Sequence, residues 1–237
     1  MKTLIWTTGL WLVGIAQAFA FDLTVPETLK YNVSWGPVHV GSAQLEYLPA
    51  AKGAYTLSAS VKDASSLIDL DDSWQSLGSH TPTRPFVPQL YSVKQAENSY
   101  RADKTMTFDT KTGQVSYLNR IDLSDVVPAL KLSDARDALA TVYAWRIGGL
   151  SEVQHAAQMT IVTLKKEVLL QRDAGVRENV ILNGRSVPVW KVRMTTIKDG
   201  KTAKDSWLAY LTDDANLTPV WIVANTKFGS FRAVLTQ

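Results

Sequence analysis

Alternation of apolar and polar residues with a period of two is the feature that most constrains this chain. Leu29, Tyr31, Val33 and Trp35 fill every second position of one stretch, and Tyr55, Leu57, Ala59 and Val61 do so in another. Successive side chains of an extended chain point to opposite faces, so each set forms the apolar side of a half-buried strand. The turns agree. Asn183-Gly184 and Asp199-Gly200 each supply the positive φ angles of a tight hairpin, and "DTKTG" at 109–113 closes a looser one. The spacing predicts roughly ten strands in a mainly β fold. The expected form is an antiparallel curved sheet, a half-barrel or barrel. Pro82, Pro85 and Pro88 demote "SHTPTRPFVPQL" to extended or edge-strand structure.

One segment departs from this pattern. "LSDARDALATVYAWRIGGL" reads as a covering α-helix over about 133–147, with Ser133 as its cap and Asp134 and Asp137 in the first turn. Arg146 stands in its last turn and Gly148-Gly149 follow. The acids suit the positive N-terminal end and the arginine the negative C-terminal end, where Arg146 is expected to serve the helix carbonyls. Ala135, Leu139, Val142 and Arg146 trace one stripe, widened by Ala138 and Trp145, so the helix should cover a sheet.

The N-terminus, "MKTLIWTTGLWLVGIAQAFA", has Lys2, an apolar run from Leu4 to Ile15 and the small-residue pattern Ala18-Phe19-Ala20. This is the pattern of a secretory signal peptide over 1–20, cleaved after Ala20, with 21–237 as one exported β-rich domain. The run falls short of the roughly 20 apolar residues of a membrane span. Cysteine is absent, so neither lipidation of a cysteine nor a disulfide follows export. The expected product is a soluble periplasmic protein without a transmembrane anchor. Loss of Lys2 takes the formal charge from +3 to +2, and basic residues are scattered among acids, which disfavours a nucleic-acid partner.

Catalytic and metal signatures are sparse. His39, His80 and His155 lie far apart and lack zinc-site spacing, and no nucleophile elbow, phosphate loop or dinucleotide fingerprint is present. Asp69, Asp71 and Asp72 lack the glycine and distal glutamate of a calcium loop. Alternation instead puts Asp69 and Asp71 on a solvated strand face, with Ile68, Leu70 and Trp74 opposite. Asp213-Asp214, with Asn216 and Pro219, reads as a corner between strands. No cofactor, metal or catalytic residue is therefore expected.

Longer stretches carry a resemblance. "LKYNVSWGPVHVGSAQLEY", "DARDALATVYAWR" and "WLAYLTDDANLTPVWIVANTKFGSFRAVL" follow in the order typical of an exported bacterial family, catalogued as domain of unknown function number thirty-one-oh-eight. Tyr31, Trp35, Gly41, Asp137, Tyr143, Arg146, Trp207, Asp213, Pro219-Val220 and Phe228-Gly229-Ser230 match its recurrent positions. The resemblance implies an envelope protein of antiparallel β fold, similar in architecture to the half-barrels of periplasmic lipoprotein and lipid carriers. It lends no activity.

Val220, Ile222 and Ala224 on one side of a strand, with Trp221 and Val223 on the other, ask for cover on both faces. An aromatic and aliphatic concave side, with Trp35 and Trp207 as its candidate ligand-binding residues, suits a hydrophobic, lipid-like ligand. A structural or protein-interaction role with an envelope partner is the alternative, and an enzyme is the weaker third. N-terminal sequencing of the exported protein should return Phe21 as the first residue; retention of Met1 would refute the cleavage.

Overall fold

The alternating stretches become the strands of a single antiparallel sheet. The computed structural model describes residues 21–63, 69–81, 84–132, 134–198, 200–226 and 229–236. The proposed signal peptide, Ser133, Ile68, Pro82, Asp199 and Phe228 lie outside the described residues. The first half of the chain gives β1 (Glu27–Trp35), β2 (Val38–Pro49), β3 (Ala54–Asp63), β4 (Asp71–Thr81), β5 (Arg84–Glu97), β6 (Tyr100–Asp109), β7 (Gln114–Asn119) and β8 (Leu130–Lys131). After α1 (Ala138–Ile147) and the one-turn α2 (Gly149–Val153) come β9 (Ala157–Thr163), β10 (Lys166–Arg172), β11 (Val176–Leu182), β12 (Arg185–Lys198), β13 (Lys201–Thr212), β14 (Pro219–Thr226) and β15 (Gly229–Leu235).

The sheet runs β8-β7-β6-β5-β4-β3-β2-β1-β15-β14-β13-β12-β10-β9, with β11 also paired to β12. Nearly every neighbour pair is a hairpin. Only β1 with β15 joins the two halves of the chain, through Tyr31↔Leu235, Val33↔Ala233 and Trp35↔Phe231. The described residues form fifteen strands, where turn spacing suggested about ten. Part of the difference lies in turns that sequence does not announce: Leu164 takes φ 56° between β9 and β10, a position usually given to glycine or asparagine. Asn183 and Gly184 have the expected positive φ, as does Gly113.

Curling brings the ends of the sheet toward each other. Val162 of β9 packs with Tyr91, Val93, Met106, Phe108 and Val115 from β5 to β7. The segment before α1 fills the seam: the Val162 amide donates to the Arg136 carbonyl at 2.8 Å, and Arg136 bridges Ile161 in parallel. Lys165 pairs with Asp125 across the same seam. The result is a barrel whose hydrogen-bonded path stays open.

Prolines mark an edge within it. Pro85 and Pro88 lie in β5, but the pairing of β5 with β6 begins only at Leu90↔Thr107, so this end of β5 has one neighbour, β4. The Asp213-Asp214 stretch is a corner, as its residues suggested. Asp214 Oδ1 accepts from the Asn216 amide at 2.9 Å and the Leu217 amide at 3.2 Å. Asp213 Oδ1 accepts from Trp190 Nε1 at 2.7 Å and Arg177 Nη2 at 3.0 Å. Asp69 and Asp71 are exposed beside Arg101 and Lys62, whereas Asp72 is buried and accepts from the Ala96 amide and Gln95 Nε2. In β14 a register shift falls at Val220, which clusters with Trp221 and Val223 rather than following Ile222.

α1 begins later than its sequence suggested, because backbone pairing of Arg136 with β9 keeps residues before 137 extended. Asp137 is the cap: its Oδ1 accepts from the Ala140 amide at 2.8 Å, and Ser76 Oγ donates to Oδ2 at 2.7 Å. Ala135 precedes the helix and Ala138 is exposed; the deepest face is Ala140, Thr141, Tyr143, Ala144 and Arg146. The helix lies inside the curl, so it is covered on more than one stripe.

Burial pushes the Asp137 carboxyl up to about 6, against the hydrogen bonds from Ser76 and the helix amides. The folded state thus prefers the protonated acid. Its contribution is complete below the ordinary value of 3.8 and is lost as pH rises through about 6, by roughly 3 kcal/mol. Asp137→Asn retains the capping oxygen. Urea unfolding between pH 4 and pH 7.5 should show this fall in the natural protein and not in the variant; identical pH profiles would refute it.

Candidate functional site

The lumen has two unlike halves. In one, α1 packs on the inner face of the sheet, where Tyr47, Tyr55, Leu57 and Phe86 meet Ala140, Tyr143 and Ala144. Phe21 joins them, with ring centroids 5.2 Å from Tyr47 and 5.6 Å from Tyr143. This half is filled.

A buried ion pair fixes the helix there. Arg146 Nη1 and Nη2 donate to Glu27 Oε2 and Oε1 at 2.6 and 2.7 Å, and Nε donates to the Asn216 carbonyl at 3.2 Å. The Tyr143 hydroxyl adds a longer bond to Glu27 Oε2 at 3.3 Å, and the Tyr31 hydroxyl donates to the Pro219 carbonyl at 2.9 Å. The guanidinium sits 4.4 Å from the Phe21 ring centroid and is 2% exposed. Desolvation draws its pKa down, but the Glu27 carboxylate outweighs this and holds it above its ordinary value. The expected role of Arg146 at the helix C-terminus is therefore corrected. A bidentate carboxylate inside the barrel satisfies the fork better than frayed carbonyls do.

The other half of the lumen is hollow. Tyr31 and Val33 of β1, Ala43 and Leu45 of β2, Ala59 and Val61 of β3, Ile222 and Ala224 of β14, and Phe231 and Ala233 of β15 line a recess of about 210 Å³. Four of these inward positions are alanine. Where the neighbouring rows carry tyrosine and leucine, an alanine leaves space, and among the described residues no helix lines it. The walls are almost wholly apolar, so the recess offers an apolar body a place out of water.

Trp35 and Trp207 stand one step beyond this lining. Trp35 pairs with Phe231 and stacks on it at 6.2 Å, while Trp207 pairs with Ala224, and Ala224 with Phe231. The sheet thus brings the two tryptophans to one row of its inner face, Trp207–Ala224–Phe231–Trp35. They are 36% and 46% exposed, unlike the fully buried rings around α1. Gly229 makes room for one of them: a Cβ there would lie 2.5 Å from Trp35 Nε1. Sequence reasoning placed Ala59 and Ala224 on strand faces but missed that they, with Ala43 and Ala233, leave a hollow at inward positions.

Arg172 was also missed. It ends β10 on the inner face, 2% exposed, with its guanidinium 5.1 Å from the Trp145 ring centroid. Nη2 donates to the Glu152 and His155 carbonyls at 2.5 and 3.2 Å, and among the described residues Nε has no hydrogen-bond partner. His39 and His155 are exposed and His80 lies against Phe86. Among the described residues no three His, Asp or Glu side chains converge as metal ligands would.

A family model described as a protein of unknown function, DUF3108, matches residues 30–236. The chain belongs to the DUF3108 family. No curated protein matches it. Among solved structures, the DUF3108 chain is similar to a β-barrel-like protein of the DUF1849 family from Brucella abortus. The TM-score is 0.60 at 12% identity, over 90% of this chain and 96% of that one. This likeness concerns the fold alone. No described helix of the DUF3108 chain is long and apolar enough to cross a membrane.

The ion pair that seats α1 generates a stability test. Glu27→Gln leaves the buried guanidinium without its counter-charge and should cost about 3 kcal/mol in urea unfolding. Replacing both partners, Glu27→Met with Arg146→Met, should cost less than Glu27→Gln alone, since no buried charge remains. A double variant weaker than the single one would refute this account.

Proposed function

We propose that this chain is an exported, periplasmic binding or carrier protein for a hydrophobic, lipid-like ligand of the cell envelope, held in the apolar recess. The observation that carries the reading is the set of four inward alanines, which leaves one half of an otherwise tightly packed barrel unfilled and open beside two half-exposed tryptophans. Each methylene moved from water into such a space is worth about 0.8 kcal/mol, so even a short acyl chain gains useful affinity. Trp35 and Trp207 suit the rim, because an indole offers apolar area while its N–H faces polar surroundings. The compartment rests on the signal-peptide pattern of residues 1–20.

A second reading, an interaction module for an envelope partner, draws on a different place. Ile121, Leu123 and Val126 are 59, 72 and 76% exposed in the loop between β7 and the short edge strand β8. Clustered apolar exposure is the usual mark of a protein contact. The recess is the stronger feature, since it is built by five strands rather than one loop.

Titration with N-phenyl-1-naphthylamine, an uncharged apolar dye, tests the first reading. Saturable binding at micromolar concentration is expected. It should weaken at least tenfold in Ala59→Leu with Ala233→Leu, which fill the recess, and weaken in Trp35→Ala and Trp207→Ala. Each variant is to be shown folded by circular dichroism. No saturable binding, or binding indifferent to the filled recess, would refute the reading.

A further inference from the structure

We propose that Arg172 is the head-group site of the same ligand: it receives the carboxylate of a single-chain amphiphile whose tail runs along the inner face into the recess. This deepens the ligand-binding reading and rests on it.

The first support is the state of the guanidinium. Arg146 and Arg172 are equally buried, yet Arg146 is neutralised by a bidentate carboxylate and Arg172 is not. The nearest carboxylate oxygen to Arg172, Glu152 Oε2, is 3.6 Å away on a side chain that is 54% exposed. Two backbone carbonyls hold Nη2, and Nε is buried without a hydrogen-bond partner among the described residues. A charged donor left unmade inside a protein is costly, and an incoming anion relieves it. Burial also holds the Arg172 pKa below its ordinary value, with Glu152 opposing it only in part, and a second negative charge would oppose it further.

The second support is space. Arg172 borders a small cavity of about 40 Å³ whose other walls include Val142, Trp145, Arg146, Met194 and Ala209. That is room for a few waters, or for a carboxylate, at roughly 10–15 Å³ per water. It is small for a bulkier head group such as a phosphodiester. Arg146 also borders it, but its fork is already taken by Glu27, so an anion there would pair with Arg172, whose planar guanidinium matches a carboxylate.

The third support is register. Arg172 pairs with Met194, Met194 with Trp207, and Trp207 with Ala224. Met194 and Ala209 line the inner cavity; Ala224 and Ile222, their neighbours across Trp207 and β13, line the recess. The two spaces lie side by side on one face, with Trp207 between them. From Arg172 to Phe231 the row crosses four strand spacings, roughly 19 Å along the sheet, a span suited to a medium-length acyl chain.

The test compares dodecanoate with dodecan-1-ol, which share a tail and differ in the head group, as displacers of N-phenyl-1-naphthylamine from the natural protein at pH 8. Dodecanoate is expected to displace the dye at about tenfold lower concentration. In Arg172→Met the acid should fall to the level of the alcohol measured in the same variant, and Arg172→Lys should keep part of the preference. Should Arg172→Met fail to fold by circular dichroism, the acid–alcohol comparison in the natural protein and in Arg172→Lys decides. Equal displacement by acid and alcohol in the natural protein would overturn the head-group site while leaving the recess standing. A preference that survives Arg172→Met in a folded protein would overturn it too. Absence of dye binding by the natural protein would remove the recess and this site together.

Discussion

The architecture depends on a buried ion pair. Glu27 opens the first strand and Arg146 closes the helix, 119 residues later, and their bidentate contact pins α1 inside the curled sheet. Removing two charges from water is expensive, so such a pair persists only with good geometry and with its remaining donors satisfied. Both conditions hold here, since Arg146 Nε reaches the Asn216 carbonyl and two aromatic rings face the guanidinium. The same contact ties the β13–β14 corner to the helix, and Tyr31 ties that corner to β1 through Pro219. Three parts distant in sequence are thereby held in one arrangement.

That arrangement divides the lumen. A helix ten residues long reaches only part of the way through a barrel whose strands run up to fourteen residues. Around the helix the inward residues are large and interlock; past its reach four of them shrink to alanine. A second helix reaching in or larger side chains would have closed this space, and among the described residues neither lines it. The hollow is therefore specified by sequence as firmly as the core, through small residues at inward positions.

Much of the fold was legible because strand alternation and turn chemistry are local. The antiparallel β class, the DTKTG turn, the Asn183-Gly184 hairpin and the Asp213-Asp214 corner each depend on neighbouring residues. What failed was not local. The start of α1 was set by β9, which claims the backbone of Arg136, and Arg146 looked like a helix-terminal cation because nothing near it in sequence reveals Glu27. The strand count fell short partly where Leu164 turns the chain without glycine or asparagine. At the candidate site, large residues drew attention to Trp35 and Trp207, whereas the alanines that make the hollow were silent until the strands were placed side by side.

The two buried arginines show how such a barrel can separate stability from recognition. Near the C-terminal end of α1 two guanidinium groups each lie over an aromatic ring, Arg146 on Phe21 and Arg172 on Trp145. The first has its counter-charge within the chain, so its interaction energy is committed to the fold. The second is held by two carbonyl dipoles and a longer ion pair to the half-exposed Glu152 at 3.6 Å, and among the described residues its Nε stays unpaired. A fold can carry one such incomplete group because the rest of its interior is satisfied. The place where it is carried, on the wall shared with the hollow half of the lumen, is where an anion with an apolar tail gains from both the charge and the space.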